Sequence, residues 1–219
     1  TTKTVSVSGT VNPLPTATWA ANATSVCYSS SAQNTPVAYT ATTNTPTSYS
    51  ITWNSTPTNS FVAVTNQSNT FTSAGAAGTL SIAVPAGATA NTYTGTITVK
   101  NANSCVSASS NFTVTINALP ANPANPNSNT PQCVTSGVTL TANGSTPSGE
   151  TWYWQTGSTG TGTTSSASTY TVTSSNTYYI RSQVVATGCW STGAGSLAVT
   201  VNPLPTALVL TGSTLCSGV

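Results

Sequence analysis

The sequence predicts an all-β chain built from sandwiches repeated in tandem. Three observations carry that expectation. Val, Ile, Thr and aromatic residues alternate with small polar ones over many short runs, the period of a half-buried strand. Clusters of Gly, Pro and Asn punctuate those runs, while apolar residues at helical spacing are absent. One hexapeptide also recurs, as "TVNPLP" at 10–15, "TINALP" at 115–120 and "TVNPLP" at 200–205.

Each copy of the hexapeptide closes an alternating run: "KTVSVSGTV", "NFTVTI" and "GSLAVTV". Asn-Pro or Ala-Leu-Pro then stops the strand, because proline lacks a ladder N–H and restricts its predecessor. A lead-in follows each joint and reaches a cysteine at Cys27, Cys133 or Cys216. The joints recur after 105 and then 85 residues, close to the roughly 100 residues of one immunoglobulin-like sandwich. The expected organisation is therefore a window on an array. Residues 1–11 read as the last strand of a preceding repeat, 16–117 as a long repeat, 121–202 as a second repeat and 206–219 as the start of a following one. Short Pro-containing linkers, at Pro15, Pro120 and Pro205, should hold these sandwiches end to end.

Within the first repeat, "VAYTATT", "SYSITWN", "TLSIAVP", "TYTGTITVK" and "NFTVTIN" are strand-like, separated by turn-like "PAGATANT" and "KNANSC". Tyr49, Ile51 and Trp53 share parity and should face one core. Within the second, "VTLTA", "TWYWQT", "TYTVTS", "TYYIRSQVV" and "SLAVTVN" are strand-like. There Trp152 and Trp154 share one face and Tyr153 takes the other. The stretch "TGSTGTGTTSSAS", at 156–168, is too polar and Gly-rich for a core and should be a surface hairpin or loop.

Five cysteines suit the array. Four of them allow three pairings, and the repeat logic favours one bridge per domain: Cys27–Cys105 and Cys133–Cys189. Cys216 then occupies the first-cysteine position of the next unit, its partner lying outside the segment. Disulfides imply an oxidising, extracellular setting. A zinc site is disfavoured by the lack of histidine and of any CxxC pair.

Composition excludes most chemistry. Only 2% of residues are charged, namely Lys3, Lys100, Glu150 and Arg181. A formal net charge of +2 offers little to nucleic acid or an anionic membrane. No apolar run approaches the roughly 20 residues that span a bilayer. With Glu150 the single carboxylate and no histidine, neither a paired-carboxylate hydrolase nor a Ser-His-Asp or Cys-His triad can be assembled. Calcium sites need several carboxylates, and "GSTGTG" lacks the lysine of a phosphate loop. The expectation is a non-enzyme without cofactor or metal.

The aromatic residues remain. Trp154 should pack across the core, as a Trp on a central sandwich strand does. Tyr153 should point outward, making it the candidate contact for a glycan or a protein. Trp190 should cover the bridge at Cys189, Trp19 should seal an inter-domain contact, and Arg181 and Glu150 should form an exposed ion pair of little energetic value.

The second repeat carries a Cys near its start, an aromatic-X-Trp strand, a "TYY" strand, and "GCWS" followed by "VTVNPLP". In these marks it resembles the immunoglobulin-like repeats of large secreted surface proteins of Bacteroidetes. The first repeat, with "YSITWN" and "TVTINALP", is similar to a longer variant of the same repeats. The resemblance covers almost the whole chain. It implies an extracellular, cell-surface adhesin of the gliding-motility type, exported by the type 9 secretion system. The segment then reads as a stalk whose partners are neighbouring repeats. Two alternatives stay open: a filament subunit that joins copies of itself by strand addition, and a module that binds surface glycans or protein.

Overall fold

The computed structural model describes residues 3–72, 75–133, 135 and 137–205. The chain divides into two compact units, Thr1–Ala118 and Leu119–Val219. No helix occurs among the described residues. The start of a following repeat at 206–219, with Cys216, lies outside them.

The first unit has eight strands: β1 (Thr16–Trp19), β2 (Ala23–Cys27), β3 (Gln33–Thr43), β4 (Pro46–Trp53), β5 (Val64–Ser68), β6 (Gly78–Val84), β7 (Asn91–Asn101) and β8 (Ser110–Asn117). They form a three-stranded sheet, β1-β3-β6, and a five-stranded sheet, β2-β8-β7-β4-β5. Pairing is antiparallel except between β2 and β8, which run parallel from Ala23↔Thr113 to Cys27↔Asn117. Alternation decides what is buried. Along β7, Tyr93, Ile97 and Val99 turn inward while the intervening threonines stay half-exposed. They meet Val37, Tyr39, Leu80, Ile82 and Val84 of the other sheet in one core. Tyr49 and Ile51 join that core and Trp53 packs on its edge, as their shared parity predicts.

The second unit repeats the plan: β9 (Asn127–Ser128), β10 (Gln132–Cys133), β11 (Val138–Thr141), β12 (Glu150–Gln155), β13 (Thr169–Val172), β14 (Asn176–Val184), β15 (Gly195–Val199) and β16 (Val201–Asn202). The sheets are β13-β11-β9 and β12-β14-β15, and β10 runs parallel to β16, with Cys133↔Asn202. In both units the lead-in after the joint pairs first with one sheet and then runs parallel beside the unit's last strand. Trp154 lies in the core, 5% exposed, stacked on Tyr170 at 5.8 Å.

Both units carry the same corner. Tyr93, third residue of β7, donates its hydroxyl to the Thr89 carbonyl at 2.8 Å. Tyr178, third residue of β14, donates to the Ser174 carbonyl at 3.1 Å. A tyrosine near the start of the penultimate strand, bonded back a few residues upstream, is a hallmark of immunoglobulin-like sandwiches. The chain is all-β and immunoglobulin-like.

The lead-ins after Pro15 and Pro120 form strands β1, β2, β9 and β10. Residues 3–11 pair with no strand of either unit and leave Val5, Val7 and Val11 at least 80% exposed. One expectation changes. Trp19 packs edge-on against Tyr39, ring centres 6.3 Å apart, within the core of its own unit; a half-buried ring on a strand that pairs with β3 belongs to that sandwich.

Candidate functional site

The cysteines do not pair as the repeat logic predicts. Cys105 and Cys133 are free thiols, whereas Cys27 and Cys189 are disulfide-bonded. Geometry within each unit explains why Cys27–Cys105 and Cys133–Cys189 do not form. Cys27 stands opposite Asn117, the last residue of β8, while Cys105 lies in the turn before Ser110, its first. Seven residue steps at about 3.3 Å each separate those ends by roughly 23 Å, against the 4.4–6.8 Å between Cα atoms that a disulfide spans. Likewise Cys133 stands opposite Asn202, and Cys189 lies in the turn between β14 and β15, near Gly195. Each unit therefore holds its two cysteines at opposite poles.

Cys105 sits in a built environment. Its backbone N–H donates to the Asn101 side chain at 3.0 Å, and its Sγ lies 3.7 Å from the Asn12 carbonyl. Asn101 and Asn44 also donate to the carbonyls of Pro13 and Leu14, at 3.2 and 2.7 Å. The hexapeptide thus enters the first unit beside Cys105. In the second unit the residues after the joint play the same part: Asn122 accepts from the Gly193 N–H at 2.7 Å and Asn125 from the Ser196 N–H at 2.9 Å, next to the Cys189 turn.

Tyr153 lies on the outer face of its sheet, as its parity predicts, but it is half-buried. Its ring packs on Trp190 at 5.4 Å, and its cross-strand partner is Arg181. Trp190 covers Arg181, whose guanidinium lies 5.4 Å from the ring centre. The expected Arg181–Glu150 ion pair is absent. Adjacent residues on a strand face opposite ways, so Arg181 turns outward under Trp190 while Ser182 turns to the other face and donates to the Glu150 carboxylate at 2.6 Å. Arg181 is 7% exposed. It donates to the Gly160 carbonyl at 2.9 Å and to the Ser191 carbonyl, and its Nε has no partner among the described residues. Burial pushes its pKa below the usual arginine value.

The Gly-rich stretch is a loop, folded over that same outer face. Gln155 holds it, donating to the Gly162 carbonyl at 2.6 Å and accepting from the Gly162 N–H at 3.1 Å. Sequence reasoning missed this small outer core. The signal was present: Tyr153, Gln155 and Arg181 share a face, and a buried charge needs covering.

The first unit has an apolar cleft of about 450 Å³, lined among others by Tyr49, Ile51, Trp53, Val62, Ile82 and Val84. It opens where β5 and β6, the edge strands of their sheets, flank the sandwich. No charged side chain lines it, so it could receive an apolar segment but could not perform acid–base work. Among the described residues no three His, Cys, Asp or Glu side chains come together as a metal site, and no helix is long and apolar enough to cross a membrane.

Residues 120–203 match the family model of the Ig-like domain CHU_C associated, a Bacteroidetes-type Ig-like domain. The second repeat is thus similar to the repeats its motifs resemble. Among solved structures, the FN1-FN3 domains of chicken CNTN1 align at 7% identity with a TM-score of 0.39, over 86% of this chain and 65% of that one. A chimeric titin Z1Z2 functionalized with a KLER exogenous peptide from decorin aligns at 14% identity with a TM-score of 0.30, over 88% and 100%. No curated protein matches the chain.

Proposed function

We propose that this chain is a non-catalytic stalk segment of a large extracellular surface adhesin, its partners being neighbouring repeats of the same array. The observation that supports it is repetition: two consecutive units share one strand plan, one tyrosine corner and one pair of cysteine positions, and each closes its own core. An array of self-contained units lengthens without a new fold. Surfaces of Ser, Thr and Asn stay hydrated with little long-range repulsion, and the ionisable residues that catalysis needs are scarce. Electron microscopy of recombinant arrays of two, four and six such repeats tests the reading. Rods that lengthen in proportion to repeat number are expected; globules that merely thicken would overturn it.

A filament assembled by strand addition is the second reading, favoured by one observation. Residues 3–11 expose valines at period two, and the apolar cleft between β5 and β6 lies open to such a strand. Concentration-dependent fibres that vanish when residues 3–11 are removed would support it. A glycan- or protein-binding module is the third; binding lost in Tyr153→Ala would favour it.

A further inference from the structure

A sheet edge with unpaired backbone groups is a template for another strand, and folded proteins blunt such edges. The second unit does so throughout. At β15 the Gly193 and Ser196 N–H groups donate to Asn122 and Asn125, and at β12 the Trp154 N–H donates to the Ser165 carbonyl of the folded loop at 2.8 Å. Strands β9, β10, β13 and β16 hold only two to four residues each. In the first unit, β1, β2 and β5 hold four or five residues. Register slips along β1 between Thr18 and Trp19, and opposite β5 between Tyr49 and Ile51. The exception is β6. Its seven residues, Gly78–Val84, pair with β3 from Tyr39↔Gly78 to Gln33↔Val84 without a slip. They include no charge and no proline, and among the described residues no strand pairs with the other edge of β6. The apolar cleft lies beside that edge, lined by Ile82 and Val84 of β6, by Tyr49, Ile51 and Trp53 of β4, and by Val62. A strand added to β6 would extend the three-stranded sheet and lie over the cleft, directing every second side chain into it.

We infer that β6 is an acceptor edge for residues 3–11 of a second copy of this chain, an inference that rests on the strand-addition reading above and names its edge and its strand. Periodicity, charge and length choose that occupant. Val5, Val7 and Val11 fall on one face of an extended strand, and they are 80%, 91% and 95% exposed. Thr4, Ser6, Ser8 and Thr10 take the opposite face, which stays in water. No charged side chain lines the cleft, and none occurs from Thr4 to Val11, with Lys3 standing at the end of the segment. An occupant that carried a charge into the cleft would have to desolvate it without a partner. Nine extended residues reach about 30 Å, against about 23 Å for the seven of β6, so the segment covers the whole edge. Main-chain hydrogen bonds to β6 then supply the attraction, and the valines seated in the cleft fix the register.

Two measurements on the 219-residue chain test this, its free thiols alkylated so that no new disulfide joins copies. A fluorescein-labelled peptide of residues 3–11 should bind saturably, read by anisotropy. Binding should weaken about tenfold or more when Val7→Asp is placed in the peptide or Val62→Glu in the chain. Position 7 is 91% exposed and position 62 is 78% exposed, so neither change disturbs the fold, and an unchanged urea midpoint verifies this for the chain variant. Sedimentation velocity at rising concentration should show self-association of the parent that Val62→Glu, Val7→Asp and excess peptide each suppress. Association that stops at two copies would uphold the inference, because reciprocal exchange closes a dimer, and would overturn the filament reading. Fibres that none of the three suppresses would overturn the inference and leave the filament reading standing. A parent that is monomeric at every concentration, or peptide binding that Val62→Glu leaves unchanged, would also overturn the inference.

Discussion

Arg181 is a buried cation whose compensation comes from carbonyls and an indole instead of a carboxylate. Desolvation makes that arrangement costly unless the hydrogen bonds hold, and the carbonyls of Gly160 and Ser191 with the Trp190 face supply what an ion pair would. Removing the side chain leaves two acceptors poorly satisfied and Trp190 unsupported. Arg181→Ala should therefore destabilise the second unit by about 2–3 kcal/mol, and Arg181→Met, which keeps the stem under the indole, should cost less. Urea unfolding followed by tryptophan fluorescence measures both; equal stability of Arg181→Ala and the parent would show that the cluster contributes nothing. The corner tyrosines are a second residue-scale test. Tyr178→Phe deletes the bond to the Ser174 carbonyl, and Tyr93→Phe those to the Thr89 carbonyl and hydroxyl, without changing volume; the first should cost about 1 kcal/mol and the second about 1–2 kcal/mol.

Titration follows from the same residues. Burial raises the phenol pKa of Tyr49 and of Tyr178 above the ordinary 10.0, with Tyr170 adding to the second. A folded phenol that holds its proton longer than the unfolded one gives stability that is complete below the unfolded pKa. That stability is lost as pH rises through the folded pKa. With no histidine and one carboxylate, the melting temperature should stay nearly flat from about pH 3 to 9 and fall beyond about pH 10. Burial shifts Arg181 the other way, but from the usual arginine value, which lies well above that range. A loss of more than about 10 °C between pH 3 and 9 would contradict the account.

At the scale of elements, the long alternating strands were legible and the lead-ins were not. β3, β4, β6, β7 and β8 each alternate apolar and polar residues through several periods, and burial largely follows parity along them; along β12 and β14 both faces are covered, so that Trp154 and Gln155, and Ile180, Arg181 and Ser182, are buried side by side. β1, β2, β9 and β10 are only two to five residues long, interrupted by Pro and Asn. Their strand character comes from the neighbouring sheet edge and not from any pattern of their own. The cysteines were misread for a related reason: matching positions in sequence do not reveal which pole a residue occupies, and the parallel pairing that puts Cys27 beside Asn117 is a tertiary fact. The lead-in of the second unit also explains a glycine. A Cβ at Gly195 would run into the Ala124 carbonyl and crowd Ile180. Gly195→Ala must push that segment off β15 and should cost about 1–3 kcal/mol, read as a lowered urea midpoint. An unchanged midpoint would mean that the segment does not pack there in solution.

For the whole molecule the central claim is that each unit is self-contained. Each buries its own core, and the chain divides between Ala118 and Leu119. Urea unfolding of residues 1–118 and 119–219 made separately, beside the 219-residue chain and all under reducing conditions, tests this most directly. The account predicts that each half folds alone and unfolds cooperatively near the midpoint its unit shows in the whole chain; a half that is unfolded in isolation would contradict it.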